Sequence, residues 1–215
     1  MLPFTRQQFF DVFSAYNSAT WPVAIVVYPL GMLALFVVWR RTGSAGRVVG
    51  IVLAVMWGWV GVIYQGVYFR PINPVASAFA GAFVLQAALF ALHAATRRGL
   101  EFGPRSQLQA VVGASMIVYA VAIYPLIGLA VGERYPAIPL FGVAPCPLLI
   151  FTFGLIVWAS CVRWWLWVVP LAWSLIGGSA AIVLSVPQDW ALPVSAILAL
   201  LITYFDRVAP QTVRS

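Results

Sequence analysis

Long apolar runs with almost no charged residues follow one another through most of this 215-residue chain. A helix needs about 20 apolar residues to cross the hydrocarbon core of a bilayer. Seven runs of roughly that length are present. They cover residues 21–39, 48–69, 74–96, 107–131, 143–162, 164–186 and 190–205. We therefore predict an all-α, polytopic transmembrane helix bundle of seven spans, with the lipid bilayer as its partner.

The first 20 residues form a separate pattern. They lack the continuous apolar core of a signal peptide. Thr5 and Gln8 have the spacing of a capping box, and Phe9 and Phe13 recur at helical intervals opposite polar residues. Residues 1–20 are therefore predicted to form a short amphipathic helix. It lies in the membrane interface, or it packs on one end of the bundle.

The arginines predict the orientation of the bundle. All twelve basic residues are arginines, and nine of them fall in alternate loops or in the C-terminal tail. Loops rich in arginine face the cytoplasm, so we predict an N-terminus outside, a membrane domain over residues 21–207 and a cytoplasmic tail over 208–215. Arginines between apolar runs do not build the solvated basic face that binds nucleic acid, and no nucleic-acid partner is expected. The nine are Arg40, Arg41, Arg47, Arg97, Arg98, Arg105, Arg163, Arg207 and Arg214.

A weak internal similarity relates the first three helices to the last three. Gly31 precedes Arg40 by nine residues in the first helix, and Gly154 precedes Arg163 by nine in the fifth. Such a pattern suggests two parallel three-helix units joined by the fourth helix, as in some transporters. Apolar segments also resemble one another by chance, and both explanations stay open.

Polar side chains are rare in the predicted spans and gather in the half of the membrane opposite the arginine-rich loops. Polar groups inside a membrane are costly and often mark functional sites. Side chains from separate segments are expected to converge there on an outward-facing pocket for a small solute. Trp57 and Trp173 are included as a surface on which a ring-shaped ligand could stack, although they could also be interfacial anchors. The candidate ligand-binding residues are Gln65, Asn73, Tyr124, Tyr135, Cys146, Trp57, Trp173 and Asp189.

Five prolines between positions 125 and 147 interrupt the fourth and fifth helices. Irregular backbone at membrane depth must be buried in protein or must line a watery cavity. Pro145-Cys-Pro therefore has two interpretations. It presents carbonyl groups and the Cys146 thiol to a cavity, or its prolines simply start the fifth helix while Cys146 packs as a small apolar residue.

Metal, cofactor and enzymatic functions are not indicated. Two cysteines and one histidine are too few for the usual zinc or iron–sulfur sites, and without lysine no retinal Schiff base can form. Cys146 and Cys161 are about 22 Å apart on one predicted helix and cannot pair. The carboxylates are scattered, with no histidine near Cys146, so no acid–base pair or activated nucleophile is apparent. We expect neither a metal nor a cofactor.

Four strings carry a resemblance to a known family. They are Phe9-Phe-Asp-Val-Phe, Tyr16-Asn-Ser-Ala-Thr-Trp-Pro, Ile72-Asn-Pro-Val-Ala and Tyr135-Pro-Ala-Ile-Pro-Leu-Phe-Gly-Val-Ala-Pro-Cys-Pro. The chain resembles an uncharacterised bacterial family of small polytopic integral membrane proteins, grouped as a domain of unknown function. The resemblance implies a location in the bacterial cytoplasmic (inner) membrane. It implies no activity, substrate or site residue.

Two functions fit these features. The first is a small-solute transporter or channel, in which Gln86 and His93, seven residues apart on one helix face, line a path toward the cytoplasm. Such residues also serve as hydrogen-bonding contacts between helices. The second is a membrane sensor or an accessory subunit of a larger complex. A homo-oligomer is compatible with either.

Overall fold

The computed structural model describes residues 2–96, 100–104, 106–160 and 162–208, with the side chains of residues 180 and 206–208 left out. The described chain forms seven helices and no β-strand, so the predicted helix count is confirmed. Their bounds are α1 Arg6–Trp39, α2 Ala45–Phe69, α3 Ala76–Ala95, α4 Gln107–Ala130, α5 Pro145–Trp158, α6 Trp165–Leu184 and α7 Ala191–Val208.

Six of these helices are long and apolar enough to cross a membrane, where α7 is taken with the 3₁₀ turn Pro187–Trp190 before it. The chain is thus compatible with a multi-pass membrane protein. The prediction of a fifth span over 143–162 is too long, since α5 has only 14 residues. At 1.5 Å per residue it measures about 21 Å, less than the roughly 30 Å of the hydrocarbon core.

Helix α5 forms the centre of the bundle. It contacts α2, α4, α6 and α7. All residues from Leu148 to Val157 are buried. A helix that is apolar on every side is expected to be surrounded by protein, and α5 fits this rule. Its first residues, including Cys146, are therefore held between the surrounding helices.

Glycines allow close helix contacts in the two tightest helix pairs. A Cβ on Gly61 of α2 would lie 2.9 Å from the Cβ of Phe83 in α3. A Cβ on Gly154 of α5 would lie 2.9 Å from the carbonyl oxygen of Gly113 in α4. Small residues at such crossings let two membrane helices pack backbone to backbone.

The loops at one end of the bundle pair through their backbones. Gly103 N–H donates to the carbonyl of Trp158 at 3.0 Å, and Ser160 N–H donates to that of Glu101 at 2.7 Å. The first turn of α2 reaches the same place, since a Cβ on Gly46 would lie 2.0 Å from the Leu100 carbonyl oxygen. We call this the arginine-rich end, because four described arginines lie in or beside its loops. They are Arg40, Arg41, Arg47 and Arg163.

Residues 2–19, the N-terminal segment, lie at the opposite end, which we call the N-terminal end. The predicted capping box is confirmed: Thr5 N–H donates to the side chain of Gln8 at 2.8 Å, and Gln8 N–H donates to the Thr5 hydroxyl at 3.2 Å. The segment continues into the rest of α1 through a kink at Thr20 (φ −118°, ψ 19°). Phe13 and Tyr16 are buried against the bundle, as expected for the second interpretation of this segment.

Two stretches of π-helix interrupt the regular helices. They cover Val60–Phe69 in α2 and Tyr119–Ile123 in α4, with hydrogen bonds from residue i to residue i+5. Stretches of π-helix are rare and occur often at functional sites. Both lie toward the N-terminal end, where they set the directions of Tyr64 and Tyr124.

Three sequence predictions remain open. The helices predicted to correspond in the internal repeat differ in length, with 34 residues in α1 and 14 in α5. The repeat and the orientation stay predictions. Cys161 and the predicted tail, apart from the backbone of residue 208, lie outside the described residues.

Candidate ligand-binding site

A cavity of about 120 Å³ lies at the N-terminal end. The N-terminal segment, the end of α2, the start of α3, the start of α5 and the second half of α6 surround it. Of the described residues that line it, eight are aromatic and one, Asp189, is charged. The cavity is therefore mainly apolar, with a single carboxylate.

Asp189 is placed by a sharp turn between α6 and α7. Helix α6 ends at Leu184 and is followed by Ser185, whose φ of 53° lies in the left-handed region, and then by the 3₁₀ turn Pro187–Trp190. The Asp189 side chain is only 4% exposed. Its carboxylate accepts a hydrogen bond from the Tyr124 hydroxyl and interacts with the Cys146 thiol. Side chains from α4 and α5 thus meet on one acidic group.

Cys146 and Trp173 lie side by side in the wall. The thiol sulfur of Cys146 and the indole nitrogen of Trp173 lie 3.7 and 3.4 Å from the position that a Cβ on Gly177 would take. Trp173 is 8% exposed, and its N–H has no regular hydrogen-bond partner in the described part of the chain. A buried donor without a regular acceptor therefore lies close to the Cys146 thiol.

Aromatic rings form the rest of the wall. Phe4 packs edge-on against Phe69 at 5.1 Å between ring centroids, and Phe13 stacks on Tyr64 at 4.9 Å. These rings were not among the site residues predicted from the sequence. The spacing of Phe9 and Phe13 was visible, but apolar spacing alone does not distinguish a face toward lipid from a face toward a cavity.

A second carboxylate stabilises the turn that carries Asp189. Glu133 is 8% exposed and accepts hydrogen bonds from the Gln188 amide at 3.1 and 3.0 Å. Burial raises the pKa of Glu133, while the bond from Gln188 and the charge of Arg6 oppose this shift. The Gln188 carbonyl accepts a further bond from the Tyr119 hydroxyl at 2.9 Å. The turn is therefore fixed from α4 and from the loop that follows α4.

The irregular loop 131–144 is fixed by the N-terminal segment. The Asn17 amide donates to the carbonyls of Pro136 at 2.6 Å and Ile138 at 2.9 Å. The Tyr16 hydroxyl donates to the carbonyl of Val143 at 3.0 Å. Carbonyl groups of this non-helical backbone are thus satisfied by protein donors.

Five of the eight predicted site residues line the cavity together. They are Asn73, Tyr124, Cys146, Trp173 and Asp189. One part of each interpretation of the proline motif is seen, because Pro145 occupies the first turn of α5 and Cys146 lines the cavity. That these residues bind a ligand stays a prediction.

The other three predicted site residues lie elsewhere. Gln65 is fully buried outside the cavity lining, and neither of its side-chain polar atoms has a partner among the described residues. Tyr135 is 55% exposed. Trp57 is a core residue that donates to the Thr152 hydroxyl at 3.1 Å and packs on Phe83. Their sequence positions gave the correct half of the bundle but not the direction of the side chains.

In the structure Asp189 interacts with Cys146, although the carboxylates are scattered along the sequence. A carboxylate is nevertheless a weak base toward a thiol, since their ordinary pKa values are about 4 and about 8.5. Within the described chain, no cluster of three or more histidine, cysteine, aspartate or glutamate side chains could hold a metal ion. The arrangement suits ligand binding better than nucleophilic catalysis.

The model of a family of unknown function (DUF6064) matches residues 6–213. This match covers all seven helices. No curated protein matches the chain, and no solved structure does.

Proposed function

The chain belongs to this family of unknown function, and on that premise we propose that it is a small-solute transporter or channel of the bacterial cytoplasmic membrane. One observation carries the proposal: side chains from α4, α5, α6 and the turn before α7 converge on a cavity that contains Asp189. Loops that simply face water would leave such side chains scattered and exposed. A small, largely preformed cavity with few polar groups is typical of a ligand site.

The proposed orientation places this cavity on the outer side of the membrane. The four described arginines of the arginine-rich end mark the cytoplasmic side by the positive-inside rule. The N-terminal end has three, Arg6, Arg70 and Arg134. An alkaline phosphatase fused after Ser215 is therefore expected to be inactive, since it would stay in the cytoplasm. An active fusion would overturn the orientation.

Buried polar atoms beyond the cavity favour transport. Side-chain atoms of Gln65, Gln86 and His93 are buried and have no hydrogen-bond partner among the described residues. Because α2 and α3 run in opposite directions, Gln65 lies near the N-terminal end and His93 near the arginine-rich end. Buried polar atoms without a protein partner are usually satisfied by ordered water. A hydrated route along these helices would connect the cavity with the other end.

A second candidate function is a membrane sensor or accessory subunit. The glycine contacts of α2 with α3 and of α4 with α5 favour it, because they bring helix backbones together and leave little room for a passage. In this case the cavity would bind a solute without releasing it on the other side. A transport measurement separates the two functions.

The test uses the purified full-length protein in sealed liposomes. Four probes of similar small size and different charge are offered outside: tetramethylammonium, methanesulfonate, glycine and urea. We expect saturable uptake of at least one probe above that of empty liposomes. Treatment with a small, charged thiol reagent should block this uptake in the wild type but not in Cys146→Ser. Folded protein that moves none of the four probes would favour the sensor or accessory function.

A further inference from the structure

The charge balance of the cavity points to the class of ligand. Asp189 is the one charged side chain among the described residues that line the cavity, and both of its side-chain partners, Tyr124 and Cys146, are neutral. A buried carboxylate in a membrane protein is costly unless a positive charge compensates it. The site is therefore one positive charge short.

No arginine in the described part of the chain supplies that charge. Arg6 lies outside the cavity and donates to the carbonyl of Leu184, a residue of the cavity wall, at 2.9 Å. Its guanidinium group also stacks on the ring of Phe10, 4.7 Å from the centroid. The described arginines are absent from the cavity lining, and the charge must come from a ligand or a proton.

The cavity walls suit an organic cation. Aromatic ring faces attract cations, and tryptophan does so most strongly. Trp173 and Asp189 both line the cavity, so a tryptophan ring and the carboxylate border the same ligand space. Phe79 packs edge-on against Trp173 at 5.1 Å and continues the aromatic wall. A carboxylate next to aromatic rings is the combination that binds ammonium ions carrying apolar groups.

We infer that this cavity binds a small tertiary or quaternary ammonium ion. The inference rests on the proposed function and names its solute class. An apolar cavity of about 150 Å³ holds benzene, so 120 Å³ accommodates a ligand of about five or six non-hydrogen atoms. A metal cation would need about six oxygen ligands, which these mostly apolar walls do not offer. An anion would be repelled by the carboxylate of Asp189.

Isothermal titration calorimetry on the purified protein in detergent tests the inference. Tetramethylammonium is the probe, and tert-butanol, which has the same tetrahedral shape and no charge, is the control ligand. The wild type should bind the cation at least about 30-fold more tightly than tert-butanol, because only the cation pairs with the buried carboxylate. Equal affinities, or no binding of tetramethylammonium, would overturn the inference.

Two variants locate the binding. Asp189→Asn keeps the shape of the side chain and should weaken cation binding by at least about 30-fold. Asp11→Asn removes an exposed carboxylate of the N-terminal segment that does not line the cavity, so it should change the affinity less than about threefold. If Asp189→Asn does not fold, Trp173→Phe gives the same information. It should weaken tetramethylammonium binding by about three- to tenfold and leave tert-butanol binding unchanged. Cation binding that none of these variants alters would contradict the assignment.

Comparison with the liposome experiment separates this inference from transport. Tight binding of tetramethylammonium without uptake would support the cation site and refute the transporter. Uptake of glycine, urea or methanesulfonate by a protein that does not bind tetramethylammonium would support the transporter and refute the cation site. Uptake and binding of tetramethylammonium, both lost in Asp189→Asn, would support both proposals.

Discussion

Replacing Asn17 with alanine should release the loop 131–144 from the N-terminal segment. The Asn17 side chain is 3% exposed and donates to the carbonyls of Pro136 and Ile138 at 2.6 and 2.9 Å. Each lost hydrogen bond costs about 0.5–1.5 kcal/mol net, and a carbonyl left buried without a donor raises this to about 1–3 kcal/mol. Since Pro136 is only partly buried, we expect a total loss of about 2–4 kcal/mol in the free energy of unfolding.

The matched control is Tyr135→Phe in the same loop. The Tyr135 hydroxyl donates to the carbonyl of Asn17 at 3.3 Å from a side chain that is 55% exposed, so its removal should cost less than about 0.5 kcal/mol. Unfolding of both variants in mixed detergent micelles, followed by circular dichroism, gives the two free energies. Hydrogen exchange should be faster in residues 131–144 of Asn17→Ala alone. Equal stability losses in the two variants would refute the role given to Asn17.

Three further predictions concern other parts of the bundle. Gly154→Ala should lower the free energy of unfolding by about 1–3 kcal/mol, because the added methyl group would meet the Gly113 carbonyl. Gly81→Ala is the control and should not lower it, since an added methyl group there has no atom within 4 Å. Equal melting temperatures of the two variants would contradict this prediction. An impermeant maleimide should label intact cells through Cys146, and equal labelling of Cys146→Ser would contradict the outward opening of the cavity. Burial raises the pKa of Glu133 above its ordinary 4.5, so wild-type stability should fall as the pH rises through that raised value; the free energy of unfolding of the wild type relative to Glu133→Gln should decrease from pH 4 to pH 7, and a constant difference would exclude the effect.

The sequence was informative where hydrophobicity and backbone chemistry decide the structure. Apolar runs bounded by arginines or prolines located all seven helices, because a helix inside a membrane must satisfy its own backbone. The capping box at Thr5 was equally readable, since it depends on two residues at a fixed spacing. The polar residues indicated which end of the bundle holds the cavity, because side chains at the same end of neighbouring helices lie close to one another.

The directions of side chains could not be read in the same way. Helices that are apolar all round, such as α5, carry no periodic signal that identifies a face. The π-helical stretches of α2 and α4 also change the angle between successive side chains, and no pattern in the sequence predicts these stretches. Gln65 therefore turned out to lie outside the cavity, although Tyr64 beside it lines the wall. The contact between Cys146 and Asp189 joins residues far apart in the chain and needs the tertiary structure.

The π-helical stretch Val60–Phe69 makes one part of α2 tolerant of changes in chain length during evolution. A π-helix holds more residues per turn than an α-helix, so it can absorb an inserted residue while the helix on either side keeps its direction. Losing one residue between Val60 and Phe69 would restore α-helical bonding there without moving Ala45–Trp59 against α3. The same loss would turn Tyr64 away from the cavity. Relatives that differ by a single residue in this stretch are thus expected to keep the bundle and to have a different cavity wall.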